Sequence, residues 1–176
     1  DSDLAGVQKF HVRPVPRVGG IGILAGVVVA ALILSRHYPT IAGSILGIAA
    51  CGLPAFLSGL VEDLTKRVSP RARLLCTMGA AALAFWLMGI AVTRISVPPL
   101  DFLLHYAAIS AFITVLAVAA LANAVNIIDG FNGLASMVSF MMFASLAYVA
   151  FQVRDPVVMS ASIIMMGAVL GFFLWN

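Results

Sequence analysis

The sequence predicts an all-α protein, a polytopic bundle of transmembrane helices. Its 176 residues are 62% hydrophobic and only 10% charged, whereas about a quarter of the residues in a soluble domain are charged. The apolar residues gather into runs near the roughly 17–25 residues that a helix needs to cross a bilayer. We therefore predict one integral membrane domain over residues 1–176, with about six spans.

The six apolar runs are separated by polar, basic or proline-containing stretches. These boundaries are, in order, residues 36–39, the charged loop 62–73, the Pro98-Pro99 pair, residues 123–133 and the Arg154-Asp155-Pro156 turn. The predicted spans cover residues 19–35, 41–60, 74–92, 102–121, 134–152 and 157–175. Gly52 and Pro54 soften the second run, and frequent Gly, Ala and Ser in all six suit close helix packing in lipid.

The Lys and Arg residues predict the orientation in the membrane. With six spans, one side of the bilayer receives Lys9, Arg13, Arg17, Lys66, Arg67, Arg71 and Arg73, and the other receives Arg36, Arg94 and Arg154. Positive charge favours the cytoplasmic side, so we expect the N- and C-termini and the polar stretches 62–73 and 123–133 to be cytoplasmic. Topology explains the net charge of +3, and no nucleic-acid partner is expected.

The two ends of the chain predict a fragment. The sequence opens on Asp1 and stops at Asn176, directly after an apolar run. We expect a longer protein of which this chain lacks an N-terminal helix and a C-terminal catalytic part.

A ladder of polar residues lies between the fourth and fifth runs. Its members recur at every third position: Asn123, Asn126, Asp129 and Asn132. Amide and carboxylate groups are costly at the edge of hydrocarbon, so such a cluster predicts a functional site. Gly130 and Gly133 are positions where a helix can loosen and bring these groups together. The alternative is that the Asn residues only hydrogen-bond packed helices to one another.

An acid pair, Glu62-Asp63, follows the second run and precedes Lys66 by a few residues. Adjacent carboxylates beside cations suit Mg²⁺ and a diphosphate, because hard oxygens bind the metal and the cations meet the remaining charge. The alternative is a solvated loop whose basic residues only set topology. The preference for positive charge on the cytoplasmic side does not explain the two acids. Their presence therefore favours the functional interpretation.

A third stretch, from His11 to Gly20, combines basic residues with two prolines and two glycines. The prolines stiffen the backbone and the glycines allow it to approach a ligand. Alone, the pattern is equally typical of a basic segment beside anionic lipid.

Together the three stretches resemble the polyprenyl-phosphate N-acetylhexosamine-1-phosphate transferase family (glycosyltransferase family 4). This family includes the bacterial phospho-MurNAc-pentapeptide transferase and undecaprenyl-phosphate GlcNAc-1-phosphate transferase. Residues 11–20 are similar to its H-x-x-P-x-P-R-x-G-G motif, residues 59–63 to G-[LF]-x-D-D, and residues 123–134 to N-A-x-N-x-x-D-G-x-[DN]-G-L.

The resemblance implies transfer of N-acetylhexosamine-1-phosphate from a UDP-sugar to undecaprenyl phosphate, which gives a lipid-linked sugar diphosphate and UMP. Such a reaction initiates a cell-surface polysaccharide such as O-antigen or teichoic acid. The implied cofactor is Mg²⁺, with Mn²⁺ as a substitute. The implied location is the bacterial inner (plasma) membrane, with multiple spans and a cytoplasmic active site. The two substrates and membrane lipid are the expected partners, and a homodimer is left open as a further interaction.

The resemblance also implies roles for individual residues. Asp63 with Glu62 would handle the lipid phosphate, and Asp129 would complete the catalytic group. Asn126 would help to hold Mg²⁺, and Asn132 would lie near the uracil. The remaining substrate-binding candidates are Lys66, Arg17, His11 and Asn123.

Two departures from the family pattern leave alternatives open. Glu62 stands where the family usually has Asp, and Asn132 stands where many bacterial members have Asp. Glu62 favours one alternative, a catalytically lapsed relative that acts as a membrane scaffold. The other alternative, a polytopic transporter, would use the polar ladder as an ion or substrate pathway. The family's later metal-binding Asp and His-rich loop would lie beyond Asn176, so we expect this piece alone to be inactive.

Overall fold

The computed structural model describes residues 19–128 and 133–175. Within those ranges the chain forms helices joined by turns and irregular connections, without a strand. The helices are α1 (Gly19–Ser35), α2 (Pro39–Cys51), α3 (Leu53–Thr65), α4 (Pro70–Met88), α5 (Pro98–Leu104), α6 (Ala107–Ile128), α7 (Leu134–Gln152) and α8 (Pro156–Trp175). The predicted all-α fold class is therefore confirmed.

Four of the described helices, α4, α6, α7 and α8, are long and apolar enough to cross a membrane. The number rises to five if α2 and α3 are taken together as one broken span. Helix α1 is apolar but shorter, with 17 residues, which lies at the lower limit for a span. A bundle of membrane-spanning helices is thus confirmed, whereas the count of six spans and the positions of the termini stay predictions.

The predicted second span, residues 41–60, corresponds to two helices, α2 and α3, with a bend of 48° between them. It divides at Gly52, which caps the start of α3, and a proline occupies the first turn of α3. Pro54 has no backbone N–H, and its ring would clash with the carbonyl of Ala50 in an unbroken helix. The acid pair therefore belongs to a separate helix that begins only at Leu53.

The third and fourth spans also differ from their predicted bounds. Helix α4 ends at Met88, four residues before the predicted end at residue 92, because Gly89 adopts the left-handed conformation with φ of 67°. Such a glycine is a common helix terminator. Helix α6 begins at Ala107 and continues to Ile128, beyond the predicted 102–121. The first two residues of the polar ladder are consequently helical.

The described residues form two compact units. The first contains residues 19–49, 125–128 and 133–175, and the second contains residues 50–124. That residues 1–176 make a single integral membrane domain stays a prediction.

Small residues allow close packing in the first unit, where α8 packs against both α1 and α7. Its core contains Val27, Ala31 and Ile45. A Cβ atom built on Gly26 would lie 3.5 Å from the Cβ of Ala168, which is ordinary contact. At Gly133, with φ of 75°, a Cβ would come within 2.6 Å of a ring carbon of Phe173. The backbone conformation therefore favours glycine at Gly133, and any larger residue would also displace the Phe173 ring.

The second unit contains an irregular, non-helical segment, residues 89–97, that is hydrogen-bonded to α6. The backbone N–H of Val92 donates to the Thr114 hydroxyl at 2.8 Å, and the Ser110 hydroxyl donates to the Val92 carbonyl at 2.9 Å. Both hydroxyl residues are buried. Non-helical backbone is tolerated near a bilayer only where protein groups satisfy its hydrogen bonds. Ser110 and Thr114 perform this function for Val92.

We predict that Thr114→Val destabilises the protein by about 1–2 kcal/mol, because the isosteric change leaves the Val92 N–H without its hydroxyl acceptor. The measurement is thermal unfolding in detergent. Thr77→Val is the matched control, since the Thr77 hydroxyl bonds the carbonyl one turn earlier in its own helix, that of Arg73. Equal melting temperatures for the two variants would contradict this account of the segment.

Candidate active site

The acid pair lies in the last turn of α3, which ends at Thr65. Glu62 is half-buried and Asp63 is exposed. Carbonyl groups at the C-terminus of a helix carry partial negative charge, so acids placed there lose about 0.3–1 kcal/mol each in an exposed setting. At this end of α3 the two acids destabilise the helix, but the combined negative charge attracts a cation. This arrangement agrees with a role in binding rather than in helix stability.

Glu62 forms an ion pair with Arg73 in the first turn of α4. The Arg73 Nη1 donates to the Glu62 Oε2 at 2.8 Å, with the two side chains 25% and 33% exposed. Such a charge-assisted hydrogen bond is shorter and stronger than a neutral one. The pair links two helices that also pack against each other.

The connection between these helices is short and capped at both ends. At the start of α4, the Ser69 hydroxyl accepts a hydrogen bond from the Ala72 N–H at 3.2 Å, and Pro70 is the first helical residue. Ser followed by Pro is a typical helix start. The cap fixes the first turn of α4 and therefore the position from which Arg73 reaches Glu62.

Lys66 ends α3 in the left-handed conformation, with φ of 54°, and its N–H donates to the Glu62 carbonyl at 2.8 Å. Glycine or asparagine normally occupies this position. For another residue the left-handed conformation costs about 1–2 kcal/mol. Lys66 occupies this strained position, is exposed and lies next to the acid pair. These features support a role for its ammonium group.

We predict opposite effects of Lys66→Gly on stability and on function. The variant should be more stable by about 1 kcal/mol, because glycine adopts the left-handed conformation without strain. It should also have a higher KM for an anionic substrate, since the ammonium is lost. Thermal unfolding and steady-state kinetics measure the two effects, with Lys66→Asn as the control that keeps a residue suited to the turn. A Lys66→Gly protein with unchanged KM would remove Lys66 from the substrate-binding group.

The polar ladder begins on α6. Asn123 and Asn126 both lie in the last two turns of this helix and are exposed. Residues three positions apart are separated by about 60° around a helix, so the two amides lie on one broad face. Asp129 and Asn132 lie outside the described residues, as do His11 and Arg17. Helix α7 starts immediately after Gly133, whose left-handed φ of 75° shows a turn at this point.

The structure thus brings together one part of the predicted site. Glu62, Asp63 and Lys66 share the end of α3, where Arg73 joins them from α4. The roles assigned to these residues stay predictions.

The donor atoms fit a hard metal ion. Among residues 19–128 and 133–175, no group of three or more His, Cys, Asp or Glu residues could hold a metal by itself. Mg²⁺ commonly takes only one or two protein oxygens and completes its shell with water and phosphate. Within the second unit, the Asp63 carboxylate is a donor of the type that such an ion uses.

From the sequence, Arg73 was predicted as one of several loop cations, and its pairing with Glu62 was not predicted. The two residues are eleven positions apart, so no helical repeat connects them. The Ser69-Pro70 helix start is the signal that places Arg73 in a new helix next to the end of the previous one.

The fold and the site define a membrane-embedded helical protein with acids and cations clustered at one helix corner. The sequence profile of glycosyl transferase family 4 matches residues 45–176. The chain therefore belongs to this family of phospho-sugar transferases. The match includes the acid pair and the polar ladder, and residues 11–20 lie outside it. Comparison with curated proteins and with solved structures gave no match.

Proposed function

We propose that the protein transfers N-acetylhexosamine-1-phosphate from a UDP-sugar to undecaprenyl phosphate and so initiates a cell-surface polysaccharide. The observation that carries this proposal is the acid pair at the end of α3, with Lys66 and Arg73 beside it, in a member of a phospho-sugar transferase family. Carboxylates and cations in one corner suit a reaction between two phosphate groups.

In the proposed reaction, an oxygen of the lipid phosphate attacks the sugar-linked phosphorus of the UDP-sugar. A new P–O–P linkage forms, the bond from that phosphorus to the bridging oxygen breaks, and UMP leaves with the bond electrons. Asp63 orients the lipid phosphate or accepts its proton, and Lys66 offsets charge on the donor diphosphate. When bound, Mg²⁺ supplies Lewis-acid stabilisation of the leaving group, and Asn126 would be one of its ligands.

The membrane setting fits an acceptor with a polyisoprenoid tail. The described helices that are long enough to span a bilayer are strongly apolar, so lipid and the acceptor's tail have an apolar surface to contact. A soluble nucleotide sugar requires the polar site to face the cytoplasm. We propose that this membrane is the bacterial inner membrane.

Cysteine labelling tests the proposed orientation. We predict that single cysteines at Ser69 and Asn132 react with a membrane-impermeant reagent only from the cytoplasmic side, and those at His37 and Asp155 only from the other side. Ser69 and Asn132 lie next to the acid pair and in the polar ladder, so a shared site requires them on one face. Labelling of these two positions from opposite sides would exclude a shared site.

The transfer itself is tested with the full-length protein in lipid nanodiscs. Undecaprenyl phosphate and radiolabelled UDP-GlcNAc or UDP-GalNAc should give a labelled lipid and an equal amount of UMP. EDTA should stop the reaction, and Mg²⁺ or Mn²⁺ should restore it. A folded full-length protein that gives no labelled lipid with any UDP-N-acetylhexosamine would contradict the proposal and favour the lapsed-scaffold alternative.

A further inference from the structure

We propose that the connection between α4 and α6, residues 89–106, is a membrane-surface anchor. Its short helix α5 lies along the bilayer surface and places an aromatic face among the phospholipid headgroups and the upper acyl chains. The helices on either side, α4 and α6, are both long and apolar enough to span a membrane. The connection therefore leaves and re-enters the bilayer at one surface. Lipid contact at this place is separate from the transfer reaction.

The start of the connection follows α6 instead of projecting away from the membrane. The Val92 N–H donates to the Thr114 hydroxyl at 2.8 Å, and the Val92 carbonyl accepts from the Ser110 hydroxyl at 2.9 Å. Thr114 lies seven positions after Ala107, the first residue of α6, which is about 10 Å along a helix. Val92 is therefore held beside a membrane-spanning helix, and this keeps the connection close to the bilayer.

Further hydrogen bonds fix α5 to this segment. The Asp101 carboxylate accepts the Ile95 N–H at 2.7 Å. The Asp101 carbonyl accepts from Nδ1 of His105 at 2.8 Å. Asp101 and His105 are four positions apart, so they share one side of the helix. Leu104, on another side, is buried in the protein. The polar side and the buried side leave a third side of α5 that faces outward.

The outward side of α5 is aromatic and apolar. Phe102 and Tyr106 are 66% and 56% exposed, and their rings meet edge to face with centroids 6.3 Å apart. Leu103 beside them is exposed as well. With about 100° between neighbouring helix positions, these three residues fall within an arc of about 100° that excludes Asp101 and His105. A helix divided in this way into an apolar and a polar side is typical of the membrane–water interface.

Lipid is the partner that this side fits, because it continues the lipid-facing surface of α4. In the last turn of α4, Trp86 and Leu87 are 85% and 73% exposed. Trp and Tyr concentrate at membrane interfaces, where the ring contacts acyl chains and the polar atom contacts headgroups and water. Trp86 comes just before the connection and Tyr106 at its end. The connection between α3 and α4 has the opposite character, since residues 66–69 are mostly polar and charged.

A depth measurement by spin-label EPR tests the proposal on the full-length protein in phospholipid nanodiscs. One nitroxide is attached to a cysteine at Leu103, in a background whose native cysteines, including Cys51 and Cys76, are replaced by alanine. Collision with oxygen, which enters the bilayer, is compared with collision with water-soluble nickel-EDDA. We expect this label about 5–10 Å inside the headgroup–acyl boundary, and a label at His105 nearer to water. A label at Arg67, in the charged connection, is the aqueous control.

Removal of the aromatic side provides a second measurement. In Phe102→Ser with Tyr106→Ser, the label at Leu103 should move outward to the aqueous level of the label at Arg67. Phe112→Ser is the matched control, since it removes a similarly exposed ring from α6 itself, and it should leave the label at its wild-type depth. If the double variant does not fold, Phe102→Ser alone carries the test, with an intermediate depth expected.

Three results would overturn the proposal. Equal collision of nickel-EDDA with the labels at Leu103 and Arg67 would place the outward side of α5 in water. Little collision with either reagent at Leu103 would show that protein, such as a second copy of the chain, covers this side. An unchanged depth in the double variant would show that the two rings do not hold α5 at the surface. Transfer activity enters none of these measurements, so failure of the proposed function would leave them unaffected.

Discussion

Asp63→Asn is expected to lower sugar-phosphate transfer by about 10²–10⁴-fold, the range for loss of a positioned acid or base, while membrane insertion stays intact. The change is nearly isosteric, so the packing of α3 on α4 should be retained. The amide cannot accept a proton from the lipid phosphate, and it lacks the charge that attracts a metal ion. Transfer of labelled sugar phosphate to lipid, normalised to folded protein, measures the effect.

Asp155→Asn is the matched control for this variant. Asp155 caps α8 by accepting hydrogen bonds from the Val157 and Val158 N–H groups, each at 3.0 Å, and asparagine is an equally good capping residue. Its activity and melting temperature should therefore equal those of the wild type. Near-normal turnover by Asp63→Asn, with Asp155→Asn also normal, would show that Asp63 does not handle the lipid phosphate.

The helices that the sequence predicted well have strong signals at both ends. The predicted end of the first span at residue 35 agrees with the end of α1, the predicted span 134–152 agrees with α7, and the predicted 157–175 begins one residue after the start of α8. Proline, glycine and charged residues bound these runs, and such residues cannot continue an apolar helix. The predicted helix bounds differ from the observed ones where the residue that ends a helix lies inside an apolar run. Gly52 with Pro54 divides a run, and Gly89 ends one early, although hydropathy is continuous through both.

The sequence predicted which residues belong to the candidate site. It did not predict which of their side chains contact one another. The resemblance identified Glu62 and treated its extra methylene as a departure from the family. The structure shows that this carboxylate reaches Arg73, a contact set by the turn between two helices rather than by local spacing. The left-handed conformation of Lys66 likewise depends on how α3 ends. Neither the contact nor the backbone conformation follows from a periodic pattern or a motif, so neither could be predicted from the sequence.

Asn126→Ala is expected to lower turnover by about 10²-fold or more, the effect of losing one preorganised contact that is made in the transition state. In the proposed reaction, a UDP-sugar releases UMP only if charge on the bridging oxygen is stabilised, and the Asn126 carbonyl is proposed as a ligand for the Mg²⁺ that would stabilise it. Since Mg²⁺ takes few protein ligands, each one matters. Asn126→Asp keeps a hard oxygen and should retain more activity than Asn126→Ala.

Asn132→Ala should have a different kinetic effect, because Asn132 is predicted to contact the uracil rather than the reacting phosphates. Its loss should mainly raise KM for the UDP-sugar at nearly constant kcat, the result of removing binding that is equal in the ground and transition states. Steady-state kinetics of both variants across a Mg²⁺ titration separates the two roles. Gln152→Ala, which removes an exposed amide at the end of α7, should leave both constants unchanged.

Unchanged turnover and Mg²⁺ dependence in Asn126→Ala would contradict the metal assignment. A fall in kcat at constant KM in Asn132→Ala would place that residue with the reacting groups instead.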